Sequence, residues 1–173
     1  MQFRISEAVE VLERTPGVMD ALLRGKSPAW LHCRKDPSSF SPLDVLGHLI
    51  HGEMTDWIPR IRIILECQDR RGFDPFDRFG FQFLIAGKTV EELLSEFAEL
   101  RKRSLETLRE LVVSEQQLGL SGLHPELGSV TMSNLLATWV VHDLGHIAQV
   151  VRVMSGEYGD AVGPWKAYLS ILK

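Results

Sequence analysis

The chain has 173 residues, 45% hydrophobic and 24% charged, and its 19 Lys and Arg against 23 Asp and Glu give a formal net charge of −4. That is the composition of an ordinary globular protein able to bury a core without staples, so a single domain is expected over 1–173. The acidic balance offers no basic footprint for nucleic acid, no apolar run approaches the ~20 residues of a membrane span, and Cys33 and Cys67 are too few and too far apart for a disulfide framework. The N-terminal residues lack the basic-then-apolar layout of a secretory signal, and a cytoplasmic protein is expected.

Taken in chain order, the pattern is helix after helix. Ile5, Ala8, Val9, Leu12, Val18, Leu22 and Leu23 recur at helical spacing, with Pro16 expected to kink or divide the run. A loop follows from Gly25 to Phe40, rich in Pro and Ser. Ser41-Pro42-Leu43-Asp44 then supplies an N-cap, a first-turn proline and an acid at the positive end of the helix dipole. The helix it opens carries Leu43, Leu46, Ile50, Met54, Trp57, Ile61 and Leu65, and Pro59 is expected to bend it.

Gln68 to Lys88 has no stable period but holds Phe73, Phe76, Phe79, Phe81 and Phe83, which argues for a packed loop lying across the domain and covering a site. Thr89-Val90-Glu91-Glu92 is a capping box for a third helix, with Arg and Glu expected on its outer face. Gly119 to Ser129 reads as a second break. A fourth helix, capped by Thr131 or Ser133, runs to Gly156, and Pro164 opens a short last helix. Four long helices without alternating strands predict an all-α four-helix bundle.

The chemistry lies in the histidines. His142-Asp143-Leu144-Gly145-His146 places two imidazoles one turn apart on the face that also carries Leu135 and Trp139. Such a pair can share a metal ion, although hydrogen-bonded core or surface histidines produce the same spacing. The Glu of His-Glu-x-x-His is missing, so a zincin protease is not supported. A third donor is available on the second helix, where His48 falls in the apolar phase and His51 is expected at the solvent side or behind the ligands. Three histidines leave positions open for water or a thiol, the pattern of a catalytic rather than a structural site.

Other residues carry weaker signals. Glu53 is expected to pair with a base such as Arg60, or else to orient an imidazole. Asp143 points ~100° away from His142 around the helix, which disfavours its being a ligand. Gln149 lies near the site rim, and Arg60, Arg62 and Arg152 are candidates for a substrate carboxylate. Cys67 has no basic neighbour in sequence to activate it. No Gly-x-Ser-x-Gly, Walker or Gly-x-Gly-x-x-Gly motif is present, so elbow hydrolases and nucleotide binders are not supported.

The order of these motifs resembles the DinB-like (YfiT-like) superfamily. The likeness rests on Ser41-Pro42-Leu43-Asp44-Val45-Leu46-Gly47-His48, Trp57 and Arg60, and the later His142-x-x-x-His146-x-x-Gln149, and it covers nearly the whole chain. Where many members have Trp-Ser before the second helix, this chain has Phe40-Ser41. The resemblance implies an up-down-down-up bundle with a long middle loop, often a homodimer, and a divalent nickel, zinc or iron held by His48, His142 and His146. It also implies a small-molecule substrate, with transfer of a low-molecular-weight thiol of the bacillithiol or mycothiol type, or metal-assisted hydrolysis. No further catalytic residue is assigned. The alternative is a non-catalytic metal-binding or dimerisation bundle, since a shared fold does not establish shared chemistry.

Overall fold

The computed structural model describes residues 3–112 and 114–173. Pro16 divides the first helical run as its missing N–H requires: α1 spans Ile5–Leu12 and α2 spans Thr15–Leu23, with the proline in the first turn of α2. A single turn, α3 (Pro28–Leu31), precedes α4 (Pro42–Thr55). The predicted cap of α4 forms in full. Ser41 Oγ accepts from the Asp44 amide at 3.1 Å, and Asp44 Oδ2 accepts from the Ser41 amide at 2.8 Å.

The bend expected at Pro59 falls three residues earlier. The helix breaks at Asp56, α5 runs from Trp57 to Glu66, and Pro59 sits in its first turn, where no amide donor is needed. The middle stretch contains a short helix, α6 (Gln82–Ile85), and leads to α7 (Val90–Leu111), opened by the predicted Thr89–Glu92 capping box. The turn α8 (Glu115–Leu118) follows.

The second break is not a plain loop. Residues Ser121–His124 (β1) and Gly128–Thr131 (β2) form an antiparallel hairpin with His124 opposite Gly128. Two features close its turn. Gly128 adopts φ 72°, and His124 Nδ1 accepts from the amides of Glu126 and Leu127 at 3.2 Å each. The last long helix, α9, spans Met132–Gly156, with Thr131 and Asn134 forming its capping box. The predicted C-terminal helix appears as two 3₁₀ segments, Gly163–Tyr168 and Ser170–Leu172.

The long helices form the expected four-helix bundle. The α4 and α5 helices pack on both α7 and α9, and α2 packs on the same pair from the other side. Two apolar clusters fill the interior, one around Leu46, Ile50, Leu93 and Phe97, the other around Ile61, Ile64, Leu105 and Trp139. No helix among the described residues is long and apolar enough to cross a membrane.

Between those clusters on α7 lies Arg101, almost wholly buried. Its Nε and Nη2 donate to Glu53 Oε1 at 3.0 and 2.8 Å, its Nη1 donates to Asp143 Oδ2 at 2.6 Å and to the Leu12 carbonyl at 2.8 Å, and Trp139 Nε1 donates to the same Glu53 oxygen at 3.2 Å. Thus Glu53 pairs with Arg101 rather than with Arg60, and this arginine of α7 faces inward. The reason is phase: Arg101 continues the stripe of Leu94, Phe97, Leu105 and Leu108. Replacing Arg101 with Met would leave two carboxylates buried without a cation, and a loss of about 3–5 kcal/mol in unfolding free energy is expected, read from urea denaturation.

Candidate metal centre

Three imidazoles from two facing helices meet at one point. The apolar phase of α4 turns His48 inward, and the four-residue spacing on α9 stacks His142 over His146. His142 Nε2 lies 3.2 Å from His48 Nε2 and 3.1 Å from His146 Nε2, and a ligand nitrogen of each lies within 4.8 Å of the others. His48 and His142 are 94 residues apart in sequence. Two nitrogens at ~2.1 Å from one ion stand about 3.0 Å apart at a right angle and about 3.4 Å apart at the tetrahedral angle, so the observed spacing suits a shared ion.

The outward nitrogens fit the same reading. His146 Nδ1 is 2.9 Å from Gln149 Oε1, which accepts its proton and leaves Nε2 as the donor atom. Asp143 Oδ1 stands 3.9 Å behind His142 Nδ1, and the backbone carbonyl of Arg78 approaches the His48 ring. Neither makes a hydrogen bond of normal geometry, and both buried Nδ1 atoms are otherwise unpartnered. Burial first, and the neighbouring imidazoles second, push His48 down to about 3 and His146 down to about 4, so both rings are neutral and carry a free lone pair at neutral pH.

Above the imidazoles opens a cavity of about 670 Å³. One side is the second bundle wall, where His48, Gly52, Asp56 and Arg60 recur at every fourth residue of α4 and α5. The facing side is α9, where His146, His142, Thr138 and Asn134 recur at the same interval. The middle loop closes a third side. Phe76 stands edge-on to His48 with ring centroids 5.4 Å apart, and Phe40 lies 5.6 Å from the same ring. The loop approaches α4 closely because residue 47 is glycine; a Cβ there would stand 2.5 Å from Ile85 Cγ2 and 2.9 Å from Phe81 Cδ2. The hairpin forms the rim, tied to the loop by the Phe73 amide donating to the Leu123 carbonyl at 2.9 Å.

His48, His142 and His146 therefore come together, while His51 stays outside, its ring 5.1 Å from that of Phe76. Asp143 does not face the imidazole cluster directly; it is fully buried against Arg101. Gln149 lies beside His146, Arg60 lines the cavity, and Arg62 and Arg152 are exposed. Cys67 packs at the edge of the second core cluster, away from the cavity lining. Sequence reasoning passed over Asp56, a buried carboxylate whose pKa burial raises despite its 2.6 Å ion pair with Arg60. The signal was its position eight residues beyond His48, on the same helix stripe.

With that geometry in hand, comparison identifies the family. The chain matches the DinB superfamily over residues 11–150 and belongs to it. Its fold is similar to that of YfiT from Bacillus subtilis, a solved structure described as a probable metal-dependent hydrolase with an unusual four-helix bundle topology. The TM-score is 0.74 at 24% identity, covering 89% of this chain and 87% of that one. No curated protein matches the chain.

The depressed imidazoles make acid stability predictable. The unfolded chain takes up protons near the ordinary histidine pKa of ~6.5, whereas the folded chain resists until about 3 at His48 and about 4 at His146. Metal-free protein is therefore expected to hold its full stability above that pH and to lose it progressively as pH falls toward 4. Urea midpoints measured across this window would show it, with a flatter limb in the His48→Gln/His146→Gln double variant. An unchanged slope there would assign the acid loss to other groups.

Proposed function

For this DinB superfamily bundle, we propose a metal-dependent enzyme acting on a small molecule, with His48, His142 and His146 holding one divalent ion of the nickel, zinc or iron kind. The observation that carries the proposal is the convergence of three buried or half-buried imidazole nitrogens at the floor of an open cavity. When bound there, a divalent ion lowers the pKa of a water or thiol and polarises an electrophile.

The chain's own residues supply the rest. Gln149 fixes the His146 ring through its Nδ1 proton, and Asp143, locked by Arg101, stands behind His142. Phe40 and Phe76 shield the His48 ring from bulk water, which strengthens polar interactions at the cavity floor. Asp56 holds Arg60 at the cavity wall, and burial raises its carboxyl against the pull of that guanidinium. Hydrolysis is the reaction favoured by the description of YfiT. Transfer of a low-molecular-weight thiol is the alternative that the family resemblance implies, and a homodimer belongs to the same proposal.

Elemental analysis of untagged protein tests the site. About one metal per chain is expected in wild type and close to none in His142→Ala or His146→Ala, with helical circular dichroism retained. Equal metal content in all three proteins would reject the ligand set. Absence of metal after reconstitution with nickel, zinc and iron would favour a non-catalytic bundle. Turnover of an ester or amide panel without added thiol would support hydrolysis, and turnover only with thiol would support transfer.

A further inference from the structure

The stripe that begins at His48 ends in an arginine that the proposed metal site does not use. Arg60 Nε lies 2.6 Å from Asp56 Oδ1, both side chains are only 11% exposed, and the guanidinium carbon stands 5.2 Å from the centroid of the Phe73 ring. One nitrogen is engaged by the carboxylate and one face by the aromatic ring. Among the described residues no group pairs with Nη1 or Nη2, and the side chain borders the cavity. An arginine immobilised this way has already lost its side-chain freedom, and its free fork matches the two oxygens of a carboxylate.

Position adds to this. Arg60 stands on α5, beyond the break at Asp56, whereas His48 stands on α4, so the guanidinium and the His48 ring border different stretches of the same cavity. Trp57 and Phe76 line the cavity along with these polar groups, so the route from imidazoles to guanidinium is largely apolar. Glu126 also borders the cavity, and an acidic neighbour disfavours a dianionic phosphate beside Arg60 more than a singly charged carboxylate.

We propose that Arg60 anchors a carboxylate carried by the substrate at the end remote from the imidazoles. The substrate class is then an elongated carboxylic acid with an apolar middle, its reactive end at His48, His142 and His146. Only the identity of the reacting end rests on the proposed function.

Calorimetric titration with octanoate, methyl octanoate and octyl phosphate tests the anchor on metal-free protein. Octanoate is expected to bind about ten-fold or more tightly than either of the others, the preference vanishing in Arg60→Met and partly returning in Arg60→Lys. The double variant Asp56→Asn/Arg60→Met removes the charge that Arg60→Met leaves unpaired, and it too is expected to lose the preference. Equal binding of acid and ester by wild type, stronger binding of the phosphate, or a preference surviving in Arg60→Met would overturn the assignment. Zinc-loaded protein titrated with mercaptooctanoate reads the other end. If zinc adds no affinity while the acid-over-ester preference persists, the metal reading fails and the anchor stands.

Discussion

The bundle is organised around one buried guanidinium. Arg101 reaches from α7 to Glu53 on α4 and Asp143 on α9, and also binds the last carbonyl of α1. Three charges removed from water are costly unless every donor is met, and here all the guanidinium nitrogens are engaged. Burial pushes the Glu53 carboxyl up against the pull of Arg101. Burial acts in the same sense on Asp143, but His142 and Arg101 outweigh it and hold that carboxyl below its usual value. The cluster sets two carboxylate side chains and one guanidinium behind the imidazoles, with Asp143 nearest to His142.

The imidazoles themselves show how packing sets chemistry. Each lies where ordinary bundle contacts place it: His48 among Phe40, Phe76 and Phe81, His142 against Trp57. The neighbouring imidazoles disfavour protonation of His48 and His146. The depressed basicity of His48 and His146 is thus a product of the same contacts that close the bundle, with burial as the first cause in each.

Much of this was legible in the sequence because helical spacing encodes direction. The four-residue interval put His142 and His146 on one face and the apolar phase offered His48 as a third donor, but it was the family resemblance that named the three together; the caps at Ser41 and Thr89 marked where two helices begin. Arg101 was missed because α7 is crowded with Arg and Glu, and charge type obscured a position that its phase with Phe97 and Leu105 betrays. Asp143 escaped for a related reason. Turning ~100° from His142 takes it off the ligand stripe, yet onto the stripe of Trp139 and Val150, both fully buried. The hairpin left no period to find: Ser121–His124 and Gly128–Thr131 are four residues each, and each includes a glycine.

The Phe73–Leu123 link has a mechanical corollary. It joins the middle loop to the hairpin, and a backbone bridge between Gly72 and Leu123 reinforces it. Two segments that frame the cavity from different parts of the chain are thereby fastened into one clasp. Neither can move outward alone without breaking that main-chain contact, so loop and hairpin bound the cavity mouth as one unit.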